Sequence, residues 1–140
     1  WRIEQNKSVV RRFWEEVFNG RKLTLIDEFF TTDWVYHGVA GRKLYGQEGL
    51  KQFLTTYHNA FPDIQVKVEN LIAEGDKVVS HVTSRGTHKG ELMGIAPTGK
   101  QVTVPVICIS RFAGDKIVED WEIIDLFGML QQLGVIPSPE

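Results

Sequence analysis

One cysteine, Cys108, is all that the chain contains. That excludes an internal disulfide and a cysteine-based zinc cluster. The four histidines fall at no ligand-like spacing, so no metal site is expected. No apolar run approaches the ~20 residues that span a bilayer. Neither sign of charge dominates: 16 Lys and Arg face 18 Asp and Glu, a formal net charge of -2. Such a balance gives no electrostatic reason to bind nucleic acid or an anionic membrane. Arg2, Glu4 and Lys7 leave no room for the apolar core of a secretory leader in the first residues. With a lone reduced thiol, a cytoplasmic location is expected. There is no internal repeat, low-complexity tract or linker. What remains is 140 residues, 42% of them hydrophobic, enough for a single domain over 1–140 with a sizeable core.

The apolar spacing changes character midway. Val9, Val10, Phe13, Val17 and Phe18 recur with helical period in Ile3–Asn19, and Gly20 supplies a stop. A short helix is expected over Leu23–Phe30, a strand over Asp33–His37 and a third helix over about Gln47–Phe61, ended by Pro62. From Asp63 onward the period is two. Ile64, Val66 and Val68 alternate with polar residues, Glu74-Gly75-Asp76-Lys77 reads as a hairpin turn, and Val78–Thr87 as the return strand. Gly86–Lys100 reads as a glycine-rich loop without a phosphate-binding pattern. Val102–Phe112 and Lys116–Ile124 form a further hairpin, and a short helix follows before Gly134. Helices first and an antiparallel meander after them predict one α+β domain. Helices on one face of a strongly curved sheet leave a cone-like cavity, a natural ligand site.

The last strand carries the chemistry-bearing residues. Strand alternation predicts Val118, Asp120, Glu122 and Ile124 on one face, with Ile117, Glu119, Trp121 and Ile123 on the other. Apolar neighbours on a carboxylate's own face desolvate it, raise its pKa and suit it to proton transfer. Asp120 would lie ~7 Å from Glu122, close enough for like-charge repulsion to raise one of the two pKa values. The same pattern also fits an edge strand with a wet, acidic face. Glu122 and Asp120 are the candidate catalytic pair, and His37 or Tyr36 a candidate donor to a ligand oxygen or a carboxylate. Trp14, Trp34, Tyr36, Tyr57 and Phe61 are candidate cavity walls for a flat, hydrophobic ligand, with Val17 beside them. His88 is expected in loop structure or at the pocket rim, His58 in the core and His81 outward. Cys108, with no basic neighbour, is expected to be buried and inert.

Several segments resemble the SnoaL-like polyketide cyclases of the nuclear transport factor 2-like superfamily. These are Phe18-Asn19-Gly20, Asp33-Trp34-Val35-Tyr36-His37, Gly46-Gln47-Glu48-Gly49-Leu50 and Ala60-Phe61-Pro62-Asp63. Glu74–Val79, Gly86–Leu92, Gly94–Lys100, Ile117–Asp125 and Leu133-Gly134 continue the match, so that it covers nearly the whole chain. The run from Gly86 to Lys100 is specific to this family within the superfamily.

The resemblance implies a cone-shaped α+β fold and a small enzyme working without a cofactor. Members of the family close the last ring of an aromatic polyketide ester by intramolecular aldol condensation. An acidic residue in the last strand serves as their general acid/base. Its counterpart is Glu122, where the cyclases carry Asp. The His and Gln that shape the cyclase site from the preceding strand correspond to Cys108 and Val106. The superfamily's epoxide hydrolases suggest a second chemistry, water activation, which needs an arginine such as Arg85 or Arg111 beside the carboxylates. A third reading is a non-catalytic module that binds a small molecule. A homodimer through the sheet is also implied, and the apolar set Ile107, Ile109, Ile117, Trp121 and Ile123 is its expected contact face.

Overall fold

The computed structural model describes residues 2–138. The N-terminal helix α1 (Arg2–Arg12) runs without a break into a π-helical stretch, Phe13–Asn19. The expected single helix therefore has its full length but widens in its second half. Position 20, at its end, requires glycine, since a Cβ there would lie 2.5 Å from the Glu16 carbonyl oxygen. The left-handed residue that turns the chain is Arg21, with φ 58°. A 3-10 turn at Leu23–Leu25 leads into α2 (Ile26–Phe29).

The strands are β1 (Phe30–His37), β2 (Lys43–Tyr45), β3 (Gln65–Glu74), β4 (Lys77–Thr87), β5 (Gln101–Ala113) and β6 (Lys116–Ile124). Between β2 and β3 lies α3 (Gly46–Ala60), and α4 (Leu126–Leu133) closes the fold. β1 begins three residues earlier than the spacing predicts, and β2 is too short to leave a periodic signal. The six strands form one sheet in the order β2-β1-β6-β5-β4-β3. Every neighbouring pair is antiparallel except β1 with β6, which is parallel.

That parallel pair places the helical N-terminal half beside the C-terminal strand. It sets Tyr36 opposite Asp120, and His37 opposite Trp121. The core follows strand parity along β5, where Val102, Val104, Val106, Cys108, Ser110 and Phe112 are all buried. Trp34, Phe29, Phe30, Phe61 and Leu54 fill the space between helices and sheet. Truncating one such buried aromatic side chain costs ~3–5 kcal/mol.

One expected alternation fails. Between the Arg111–Glu119 and Phe112–Ile117 pairs the register shifts by one residue, with Val118 as the extra residue of a β-bulge. Ile117 therefore turns inward, 1% exposed, onto the same face as Asp120. The expectation that Ile117 shares the outward face with Trp121 is corrected by this bulge. Asp120, Glu122 and Ile124 keep the shared face that alternation predicts.

Candidate active site

The helices and the concave sheet face enclose a cavity of about 90 Å³. This is several times the volume that one water needs. Its walls are mostly apolar and aromatic, and its polar groups gather where β1, β5 and β6 lie side by side. Register brings them together. Cys108 faces Glu122 and Ser110 faces Asp120 across β5 and β6, while β1 adds Trp34 and Tyr36 from the other side.

The two carboxylates occupy unlike environments. Asp120 is 6% exposed and accepts three hydrogen bonds. Ser110 Oγ donates to Oδ1 at 2.5 Å, Cys108 Sγ to Oδ1 at 3.3 Å, and Trp34 Nε1 to Oδ2 at 2.8 Å. Burial pushes its pKa up, and the three donors pull it back by stabilising the ionised form. Among the described residues Glu122 has one bond: Tyr36 Oη donates to Oε1 at 2.6 Å. Burial lifts the Glu122 carboxyl to about 7, the Tyr36 bond lowers it, and the charge of Asp120 raises it. Glu122 retains partial exposure and lines the cavity, so a ligand there meets it directly. The two are thus a carboxyl fixed by three donors and a carboxyl poised to exchange a proton near neutral pH.

The phenols near Glu122 stay protonated. Burial and the adjacent Glu122 charge push the Tyr36 hydroxyl well above its usual pKa, and raise that of Tyr57 as well. Tyr57 lines the cavity, with its ring 4.9 Å from that of Phe53. Cys108 is pushed up strongly by burial and by both carboxylates, so it is a neutral thiol and not a nucleophile.

Of the residues singled out in the sequence, Trp14, Trp34, Tyr36, Tyr57, Phe61, Val106, Cys108, Asp120 and Glu122 all line the cavity. Three do not. His37 follows Tyr36 in β1, and because Tyr36 points inward His37 points to the opposite face. There its Nε2 lies 2.7 Å from Glu119 Oε2, and its ring stacks on Trp121 with centroids 5.4 Å apart. A catalytic role for His37 in the cavity is corrected by this placement. Val17 is fully buried but is turned away from the cavity, whose wall at this level is made by Phe13, Trp14 and Phe18. His88 is fully buried in the loop that follows β4, where Thr98 N–H donates to its Nδ1 at 3.1 Å. It orders the loop and does not reach the rim. His58 lies in the core with a ring nitrogen 3.0 Å from the Phe18 carbonyl, and burial lowers its pKa.

Sequence reasoning missed Ser110 as a partner of Asp120, although its parity with Cys108 could have shown it. Phe53, on α3, also forms cavity wall, between Tyr36 and Tyr57. The arginines needed for the epoxide-opening reading are elsewhere. Arg111 lies on the outer face, paired with Glu119 at 3.0 Å, and Arg85 does not line the cavity. Among the described residues no cluster of His, Cys, Asp and Glu could hold a metal, and no helix is long and apolar enough to cross a membrane.

Comparison with known proteins gives this geometry a context. The family profile described as SnoaL-like polyketide cyclase matches residues 8–133. No curated protein sequence matches. Among solved structures, AclR, a candidate hydroxylase from Streptomyces galilaeus, is 28% identical with a TM-score of 0.86, over 99% of this chain and 86% of that one. A candidate SnoaL-like polyketide cyclase from Jannaschia sp. CCS1 is 25% identical with a TM-score of 0.88, over 96% and 94% of the two chains. IdmH, a candidate polyketide cyclase from Streptomyces antibioticus, is 30% identical with a TM-score of 0.82, over 93% and 99%.

Proposed function

As the chain belongs to the SnoaL-like polyketide cyclase family, we propose that it is a lyase or isomerase that performs intramolecular aldol chemistry on a hydrophobic, carbonyl-bearing molecule. The observation that carries this reading is the Glu122 carboxyl, raised to about 7 by burial on the wall of an apolar cavity. Glu122 removes a proton from the carbon next to a carbonyl, and the electron pair moves onto the carbonyl oxygen. Tyr57 donates a hydrogen bond to that developing enolate oxygen. The enolate carbon then attacks a second carbonyl of the same molecule, and the protonated Glu122 returns its proton to the new alkoxide. Such acid/base assistance contributes ~10²–10⁴-fold. Tyr36 orients the Glu122 carboxylate through its 2.6 Å bond. Asp120, fixed by its three donors, bears on Glu122 through its charge, which raises the Glu122 pKa. A proton flanked by two carbonyls is acidic enough for a base of this strength, so the reading requires no cofactor.

The test is turnover of an activated aromatic β-keto ester by the wild-type protein and by Glu122→Gln, followed as ring closure. Equal rates in the two proteins would remove Glu122 from the chemistry. One observation favours a second reading, a binding module without turnover. Val106 and Cys108 leave the strand before Glu122 without the polar pair that the resemblance associates with the cyclases. Binding of the β-keto ester with no ring closure at any pH would decide for that module.

A further inference from the structure

The cavity holds one hydroxyl that the aldol chemistry does not use. Alternation along β4 turns Val78, Ser80, Val82, Ser84 and Gly86 inward. Ser80 is fully buried, and its Oγ accepts from Trp14 Nε1 at 3.1 Å. Ser110, the inward serine of β5, is taken up by Asp120 at 2.5 Å. Trp34, Tyr36 and Cys108 are likewise bound to the two carboxylates. Among the described residues, Ser84 and Tyr57 are the two side chains that line the cavity with a hydroxyl and no hydrogen-bond partner. Tyr57 serves the enolate oxygen in the reading above, and Ser84 has no task in it. Ser84 is half-buried and faces inward, so its accessible surface belongs to the cavity.

Register sets where Ser84 stands. It pairs with Val104 of β5 and with Val66 of β3, whereas Glu122 pairs with Cys108 of β5. From Val104 to Cys108 is ~13 Å at the rise of a strand. The next inward residue of β4 is Gly86, where a Cβ would lie 3.0 Å from the Phe61 Cβ and 3.4 Å from Ile64. Phe61 and Ile64 thus lie against the sheet just past Ser84 and wall off that end of the cavity. The other walls there, Val66, Val102 and Val104, are apolar. A valine would suit this strand position and its neighbours better than a serine. A hydroxyl facing such walls without a partner costs free energy.

We propose that Ser84 is a specificity-determining residue, and that the substrate is an elongated carbonyl compound with a hydroxyl or keto group at the end remote from its reacting carbonyl. The proposal rests on the reading of Glu122 as the reacting base. A serine hydroxyl both donates and accepts, so it takes either kind of oxygen. Its apolar surroundings make the choice selective, because a ligand without that oxygen leaves the hydroxyl unpaired. The separation from Glu122 calls for a frame of fused rings rather than a single ring. Two polar anchors at opposite ends also fix which end of the ligand meets the base, which is what an intramolecular ring closure needs.

The experiment is fluorescence titration of the full chain with methyl 6-hydroxyanthracene-2-carboxylate and with methyl anthracene-2-carboxylate, which lacks the hydroxyl. At pH 6 Glu122 keeps its proton and can donate to the ester carbonyl, which places the hydroxyl at the far end. The expected result is that the hydroxy ester binds about fivefold more tightly, the scale of one hydrogen bond in an apolar site. Ser84→Ala should bring the ratio close to one, and Ser84→Thr, which keeps a hydroxyl, should retain part of it, with circular dichroism showing both variants folded. Glu122→Gln should leave the preference in place, since it acts at the other end. Equal binding of the two esters, an unchanged ratio in Ser84→Ala, a preference lost in Glu122→Gln, or binding of neither ester would each overturn the assignment. The ratio is read without turnover. Its failure leaves the Glu122 turnover test standing, and a wild-type protein that closes no ring but keeps the preference would sink the aldol reading alone.

Discussion

Tyr36 and Glu122 are 86 residues apart and share a 2.6 Å hydrogen bond, phenol to carboxylate. The bond exists because β1 and β6 run parallel, with Tyr36 opposite Asp120 and its hydroxyl reaching one further inward residue along β6. It lowers the Glu122 pKa against burial, so the 7 at which the carboxyl settles is a balance of opposed effects.

Tyr36→Phe should therefore raise the Glu122 pKa. The phenyl ring keeps the packing against Phe53 and removes the one donor to the ionised form among the described residues. In the pH–rate profile the acid limb should move upward from about 7. A limb that stays in place or moves down would show that Tyr36 does not bear on the base.

Glu122→Gln should reduce turnover by ~10²–10⁴-fold while the fold is kept. Its stability should also differ from wild type in a pH-dependent way. The folded carboxyl titrates at about 7, above its ordinary 4.5. Below pH ~4.5 both folded and unfolded chains hold the proton, and the shift costs nothing. Between 4.5 and about 7 the unfolded chain releases the proton and the folded one keeps it, so wild-type stability falls as pH rises. Urea unfolding at pH 4.5 and 7.5 should show Glu122→Gln gaining on wild type by at most ~3 kcal/mol over that interval. A constant difference between the two proteins would contradict the raised pKa.

Asp120→Asn should shift the acid limb downward, because removing a like charge eases ionisation of Glu122. It should also destabilise the protein by ~1–3 kcal/mol. Asp120 faces three donors, and an amide nitrogen in place of one oxygen sets donor against donor, at Trp34 or at Ser110 and Cys108. The thermal midpoint checks the second effect independently of the first. An unchanged midpoint with an unmoved limb would mean that neither contact matters.

The outer sheet face should pair with a second copy of the chain. Ile123 is 69% exposed and Ile107, directly opposite it, is 47% exposed. Trp121 lies beside them, held flat by the His37 ring. Two such faces bury each other across a two-fold axis, with the large aromatic as anchor. Light scattering at micromolar concentration should give a dimer mass, and Trp121→Glu a monomer or an aggregate. A monomeric mass for the unmodified chain would count against this surface.

The sequence by itself determined the helices-then-strands order and the inward set of β5. It also placed Asp120 and Glu122 on one face, because side-chain alternation is a local property of an extended backbone. Three features were beyond it. The Val118 bulge, which turns Ile117 inward, is a property of the β5–β6 pairing and leaves no mark in the spacing of either strand. The face taken by His37 depends on which side of β1 meets the helices, and its neighbours Trp34 and Tyr36 suit either a cavity or a surface. The difference between Asp120 and Glu122 is a matter of partners drawn from β1 and β5, and one carboxylate reads like the other until the strands lie side by side. Proton affinity depends on desolvation and on the count of donors, and both are fixed by residues distant in the chain. Tertiary structure thus decided which acid is fixed by three donors and which is free to exchange its proton.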